Sequence, residues 1–483
     1  MGRPTIFPTG VTRYNPEKCF NGYTIYDVDK VGIVLVDMNG KEVRVWDKMR
    51  GFPCKLLKGG FVLGQTGERD EKYGYQDDVD LVQIDWDGNI VWKFNKQDEV
   101  EDNGKKEWVA RQHHDCQREG NPVGYYVPDM ECKTASGNTM MICHRNVNNP
   151  KISPYTLCDD VFIEVDWEGN IVWEWQASDH YQEFGFTEEQ KNTIFRNPNM
   201  HKAGGGMGDW LHINCMSELG PNKWYDKGDE RFNPKNIIFD SREASFIAIL
   251  DKETGKIVWK LGPDFQADEK TKAIGNIIGP HLSHMVPQGL RGAGNILLFD
   301  NGGGAGYGAP DKNSKRGLKT MIRDYSRVLE INPVTMQVVW KYTPTEAGLR
   351  IGEDANHFYS PLVSGAQRLP NGNTLITIGV DGKIIEVTRD NELVWEYVMP
   401  YREAWGIYRA YRYPYDYVPQ AEHSPEVAIE PIDLQHFRVP GAIDNTDIKR
   451  VSVAGTMDFP TQTTDSFCVT TGEDADDDFE ELF

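Results

Sequence analysis

The segment Leu81-Val-Gln-Ile-Asp-Trp-Asp-Gly-Asn-Ile-Val-Trp92 returns almost residue for residue as Phe162-Ile-Glu-Val-Asp-Trp-Glu-Gly-Asn-Ile-Val-Trp173. A looser copy precedes both, Gly32-Ile-Val-Leu-Val-Asp-Met-Asn-Gly-Lys-Glu-Val-Arg-Val-Trp46, and later copies end at Trp259, Trp340 and Trp395. Each copy is an apolar run, a polar break and a second run closing on Trp. The dipeptides Asn39-Gly40, Asp87-Gly88 and Glu168-Gly169 sit in the breaks. Tight hairpin turns need positive φ, which Gly supplies most readily, so each copy predicts an antiparallel strand pair.

A second phrase, Gly-Asn before an apolar run, precedes several pairs: Gly137-Asn138, Gly294-Asn295 and Gly372-Asn373. Lys235-Asn236 is a variant and Gly59-Gly60 a weaker one. One further strand before each phrase gives four-stranded units, and radial repetition of such units is a β-propeller. Five units are complete in sequence. The sixth would join Tyr408–Tyr413 to the Gly22–Trp46 hairpin, which removes free sheet edges.

The predicted fold is therefore all-β: a single six-bladed β-propeller over residues 22–438, after an N-terminal arm at 1–21. Residues 439–483 read as an extended C-terminal arm. It ends in an acidic tail, with seven of the last eleven residues Asp or Glu. Trp-to-Trp spacings of 46, 81, 86, 81 and 55 exceed a minimal blade in three cases. Long inter-strand insertions are expected at 96–111, 177–209 and 302–320, the second holding a short helix capped by Thr187.

The chain has 483 residues, 39% of them hydrophobic, enough for a sizeable core and too apolar for disorder. A formal charge of −22 argues against nucleic acid or an anionic membrane as partner. No apolar run reaches the length of a membrane span, and Met1–Thr5 lacks a signal-peptide pattern. The eight cysteines show no CxxC spacing and read as reduced thiols, so a cytoplasmic location is expected. Homo-oligomerisation is left open.

Four histidines precede the inner strands of successive units: His114, His212, His284 and His357. First strands of propeller blades line the central channel, so the four are expected to converge on the axis. Asn214 shares a strand face with His212. Arg242 follows the apolar run of the same unit and offers a donor fork suited to a tetrahedral oxyanion.

The run of His113-His114-Asp115, His212-Ile213-Asn214, Ser241-Arg242, Ser283-His284 and Gly294-Asn-Ile-Leu-Leu-Phe-Asp-Asn-Gly302 resembles the bacterial arylsulfate sulfotransferases. So do Phe358–Ile376 and Tyr408-Arg-Ala-Tyr-Arg-Tyr-Pro414, and the likeness spans roughly residues 20–420. It implies a six-bladed propeller moving a sulfuryl group from an aryl sulfate to a phenol by ping-pong kinetics, without a nucleotide sulfate donor or other cofactor. A sulfated histidine is the implied intermediate.

By position the implied nucleophile is His284, although the family reads Gln-His-Asp where this chain reads Ser283-His284-Met285; His281 is the local alternative. His114, His212 and Arg242 are the implied catalytic partners, and Asn214, His113, His281 and His357 the implied substrate-binding residues, with no metal. The family's exported members carry a signal peptide and an N-terminal β-sandwich, for which this chain shows no room.

Two other readings compete. Four channel histidines could ligate iron or copper, against which Arg242 argues by repulsion. The scaffold could also be a binding propeller without turnover.

Overall fold

The computed structural model of the protein describes residues 9–67, 76–102, 105–199, 207–308, 321–401 and 404–430. The arm expected at 439–483, its acidic tail and most of the insertion at 302–320 lie outside the described residues. Six sheets follow one another in sequence as blades, each built on four antiparallel strands; two of them add a fifth, Gly208–Asp209 parallel to Leu157–Val165 in one and Gly10–Tyr14 antiparallel in the other. Blade 1 orders Ala410–Tyr413, Tyr23–Val28, Gly32–Val36 and Glu42–Asp47, so a C-terminal strand completes the first blade.

Blade 2 begins with Arg50–Leu57, blade 3 with Gln112–Arg118, blade 4 with Ile213–Glu218, blade 5 with His281–Met285 and blade 6 with Gly365–Arg368. Each of these first strands touches the first strand of the next blade, round to Ala410–Tyr413. The ring they form is buried; the fourth strands alternate, as in Ile90–Phe94, where Trp92 and Phe94 turn inward. Among the described residues no helix is long and apolar enough to cross a membrane.

The repeated phrases have distinct physical jobs. Every closing Trp donates its indole N–H to a backbone carbonyl of the following blade. Trp46 reaches Trp86 (3.3 Å), Trp92 reaches Trp167 (2.9 Å) and Trp173 reaches Lys252 (3.1 Å). Trp259 reaches Pro333 (2.9 Å), Trp340 reaches Arg389 (3.0 Å), and Trp395 closes the circle on Met38 (2.9 Å).

The Asn of each Gly-Asn phrase donates to a Glu on the third strand of its own blade: Asn138 to Glu164, Asn295 to Glu330 and Asn373 to Glu386, at 2.8, 2.6 and 2.7 Å. The same three carboxylates pair with cations of the next blade, Lys252, Arg368 and Arg412.

Three details differ from expectation. The Asp-Gly hairpins are wider than two-residue turns. Ile84 pairs with Ile90, and the Asp85 carboxylate accepts the N–H groups of Asp87 and Asn89 while Gly88 holds φ 88°. Part of the expected N-terminal arm is a strand, since Gly10–Tyr14 pairs with Leu393–Val398 as a fifth strand of blade 6. The insertion at 96–111 is a hairpin, Asp98–Asp102 against Lys105–Val109. In the insertion at 177–209, Thr187 does cap the helix Glu188–Arg196, in a reciprocal box with Gln190.

If the indole N–H contacts hold the ring together, Trp92→Phe should lower stability by about 1–3 kcal/mol, because the Trp167 carbonyl loses its donor. Urea denaturation should show a lower midpoint. The exposed Ile90→Thr in the same strand should shift it much less.

Candidate functional site

The site is built where the first strands break register. Bulges interrupt the ladders between Arg50 and Lys55, His113 and Cys116, Ile213 and Cys215, and His281 and His284. At or beside three of these bulges a non-glycine residue is left-handed: His114 at φ 56°, His212 at φ 52° and Leu282 at φ 51°. Each costs roughly 1–2 kcal/mol, and bulges of this kind re-aim side chains.

Around them lies a cavity of about 460 Å³. His114, His212, Arg242 and His281 line it together. Phe52, Leu362, Trp405 and Tyr408 give it an apolar and aromatic part, and Asp27, Asp29, Asp78 and Arg50 a charged one.

Each cavity imidazole has a defined partner. His212 Nδ1 lies 2.5 Å from Asp209 Oδ2; a carboxylate only accepts, so this nitrogen carries the proton and Nε2 keeps the lone pair. His281 Nδ1 likewise donates to Asn301 Oδ1 (2.7 Å), and its Nε2 accepts the Val363 N–H at 3.1 Å. His114 Nδ1 lies 2.7 Å from His113 Nδ1, and its ring meets that of His212 edge-on at 4.6 Å. Arg242 is paired with Glu243.

Burial, then the neighbouring His212, holds His114 well below the usual imidazole pKa; burial, then Arg242, does the same to His281. His212 is lowered by burial and partly restored by Asp209. Asp27 moves the other way: desolvation pushes its carboxyl up to about 7 against the pull of Arg50, and its Oδ1 has no hydrogen-bond partner.

The structure corrects the expectation that four equivalent histidines converge. His357 is exposed, in the short 3-10 turn Ala355–His357 ahead of blade 6, and off the channel. His284 is on the right strand but does not line the cavity. Aligning the blades on their left-handed residues sets Leu282 against His114 and His212, so His284 falls two positions further along. There its Nδ1–H donates to Leu282 O and its Nε2 accepts the Tyr125 hydroxyl, both at 2.9 Å.

Asn214 is also outside the cavity, its amide bonded to Pro280 O and approached by Arg409. His113 stands one layer behind His114.

Asp115 anchors buried charges, binding Lys55 Nζ at 2.7 Å and Arg409 Nη1 at 3.0 Å. Sequence reading missed Asp27, Phe52, Trp405 and the role of Asp209. Only Asp209 had a local signal, lying three residues before His212 in the sequence.

The family model described as Arylsulfotransferase (ASST) matches residues 130–409. No curated protein matches the chain. Among solved structures, a protein of unknown function from Bacteroides caccae is 10% identical at a TM-score of 0.42, covering 81% of this chain and 98% of its own. Streptogramin B lyase is 10% identical at 0.34, covering 83% and 85%. Virginiamycin B lyase from Staphylococcus aureus is 10% identical at 0.33, covering 81% and 89%.

The burial of His284 has a consequence for stability. Burial lowers its pKa from 6.5 to about 4, so below pH 6.5 the unfolded chain takes up a proton that the folded chain refuses. Stability should fall as pH drops from about 6.5 to about 4, by about 3 kcal/mol at most from this residue, and level off below. Denaturation midpoints across that range should fall less steeply in His284→Gln.

Proposed function

This chain belongs to the arylsulfotransferase family, a family of sulfotransferase enzymes, and from that premise we propose that it moves a sulfuryl group from an aryl sulfate to a phenol through a sulfated His281. The observation that carries the reading is the meeting of His114, His212, Arg242 and His281 in one cavity beside Phe52, Leu362 and Trp405. Cationic and N–H donors suit the three sulfuryl oxygens, and the aromatic part suits an aryl ring.

His281 is assigned as nucleophile in place of His284 because it lines the cavity. Asn301 fixes its proton on Nδ1, leaving the lone pair at Nε2. Burial and Arg242 keep the ring neutral, as attack on sulfur requires. The Val363 N–H beside that nitrogen is placed to take up a sulfuryl oxygen when the lone pair turns to sulfur.

In the first half-reaction His281 Nε2 forms a bond to sulfur as the bond from sulfur to the aryl oxygen breaks. The departing oxygen takes a proton from His212, whose protonated form is favoured by the bound sulfate anion and held by Asp209. In the second, His212 recovers a proton from the incoming phenol. The phenol oxygen attacks sulfur, the N–S bond breaks, and both histidines return to their starting state. Among the described residues the cysteines are unpaired and most of them buried, in keeping with a reducing, cytoplasmic setting.

Intact mass after mixing with 4-nitrophenyl sulfate, without acceptor, tests the assignment. The wild type and a folded His284→Asn should each gain one SO₃ that added phenol discharges, and His281→Asn should gain none. An adduct that persists in His281→Asn and vanishes in His284→Asn would reverse the assignment.

Asp27 sets the pH dependence. As pH rises through about 7 its carboxyl ionises and adds negative charge to a cavity that must admit an anion. The KM for 4-nitrophenyl sulfate should therefore rise severalfold through that range, and Asp27→Asn should flatten the rise.

A further inference from the structure

Behind the cavity wall, in blade 3, three buried side-chain atoms face one another with no hydrogen-bond partner: His113 Nε2, His144 Nε2 and Asp160 Oδ1. They come from the first three strands of the blade, Gln112–Arg118, Thr139–Val147 and Leu157–Val165, with His144 directly opposite Asp160 in the ladder. The exposures of the three residues are 0%, 2% and 0%. All three atoms lie within 4.8 Å of one another.

His113 Nε2 is 3.4 Å and His144 Nε2 3.8 Å from Asp160 Oδ1, too far for a good N–H···O bond. The imidazole rings stack at 3.6 Å with 17° between planes. A proton shared between any two of the atoms would be poorly placed at these separations. Leaving the three polar atoms bare in the interior is costly.

Every other polar atom of the trio is already committed. His144 Nδ1 lies 2.5 Å from Asp77 Oδ1, and Arg111 Nε holds the other oxygen of Asp77 at 2.6 Å. Asp160 Oδ2 accepts the Ile213 N–H at 3.2 Å. His113 Nδ1 lies 2.7 Å from His114 Nδ1. This is how metal-binding imidazoles are usually backed, with the outer nitrogen held by a carboxylate or another acceptor. Two ligand atoms on one tetrahedral zinc sit about 3.3 Å apart, close to the shorter gap here.

We propose that His113, His144 and Asp160 bind one divalent transition-metal ion of the zinc type, at a site separate from the sulfuryl cavity. Two imidazole nitrogens and a carboxylate oxygen are the donor set such ions prefer.

The ion would also reach the cavity. With the metal on His113 Nε2, the proton of that ring must sit on Nδ1 and be donated to His114 Nδ1. His114 then carries its own proton on Nε2. That last step rests on the sulfuryl-transfer reading, with His114 as a donor to the substrate; the metal site itself does not.

The test uses the full chain, stripped with chelator, dialysed and reloaded with Zn²⁺ or Co²⁺. Metal analysis should find about one ion per wild-type chain. The Co²⁺ form should show visible d–d bands, and Asp160→Asn and His144→Ala should lose them.

Should those variants fail to fold, Asp77→Asn leaves all three ligands in place and should weaken Zn²⁺ binding by about 10- to 100-fold. His281→Asn should keep the ion. Folded wild type that takes up no Zn²⁺ or Co²⁺ would overturn the proposal, as would an ion lost in His281→Asn and kept in Asp160→Asn. Sulfated protein formed by metal-free wild type would remove only the link to His114, while metal bound by protein that forms no adduct would leave the site standing without the sulfuryl-transfer reading.

Discussion

Six indole N–H groups, each given to a carbonyl of the next blade, run once round the molecule and end where they began, from Trp46 at Trp86 to Trp395 at Met38. A ring of this kind has no free end. The last tryptophan finds its acceptor only if the first blade is in place, and the first blade is complete only when Ala410–Tyr413 pairs with Tyr23–Val28. Closure therefore makes the two ends of a long chain conditions for one another. The Glu164, Glu330 and Glu386 carboxylates tie neighbouring blades in the same direction around the circle.

What closure makes possible is visible at the axis. Six first strands are held side by side, so their backbones can carry bulges and left-handed residues that an isolated sheet would relax away. His114 and His212 owe their aim to that backbone. Beneath them the interior accepts Lys55 and Arg409 around the single carboxylate of Asp115, with a neighbouring Asp240 raised to about 7 by burial. Charges so placed are costly to desolvate and are sustained here by hydrogen bonds from several blades at once, such as Arg409 to the Asn214 carbonyl at 2.6 Å.

The cavity and the blade 3 trio illustrate two grades of burial. In the cavity, His212 is partnered at Nδ1 by Asp209, and His281 at Nδ1 by Asn301 and at Nε2 by the Val363 N–H. In the trio, partners occupy the outer atoms and the inner three converge. His113 and His114, adjacent in sequence, belong one to each, and their Nδ1 atoms join the two environments across 2.7 Å.

The blade count, the hairpins and the closure were legible in the chain because the units repeat local chemistry: Trp where the next blade offers a carbonyl in all six, Gly at a positive φ in the Asn39-Gly40, Asp87-Gly88 and Glu168-Gly169 hairpins, and Asn facing a third-strand Glu in three. His114, His212 and Arg242 were legible for a similar reason, since each keeps its distance from a repeated phrase. Counting along the chain failed at His284, because the left-handed position of blade 5 falls on Leu282 and His284 lies two residues beyond it, and failed at His357, which a short turn carries away from the channel. No spacing could have brought in Asp27 and Phe52, which come from other blades, or matched His144 and Asp160 to His113 across three strands. Periodic contacts are written in sequence because they are made by the same neighbours in every unit. The membership of the cavity and of the buried trio depends on which side chains a closed ring turns inward, and that exists only once the ring has closed.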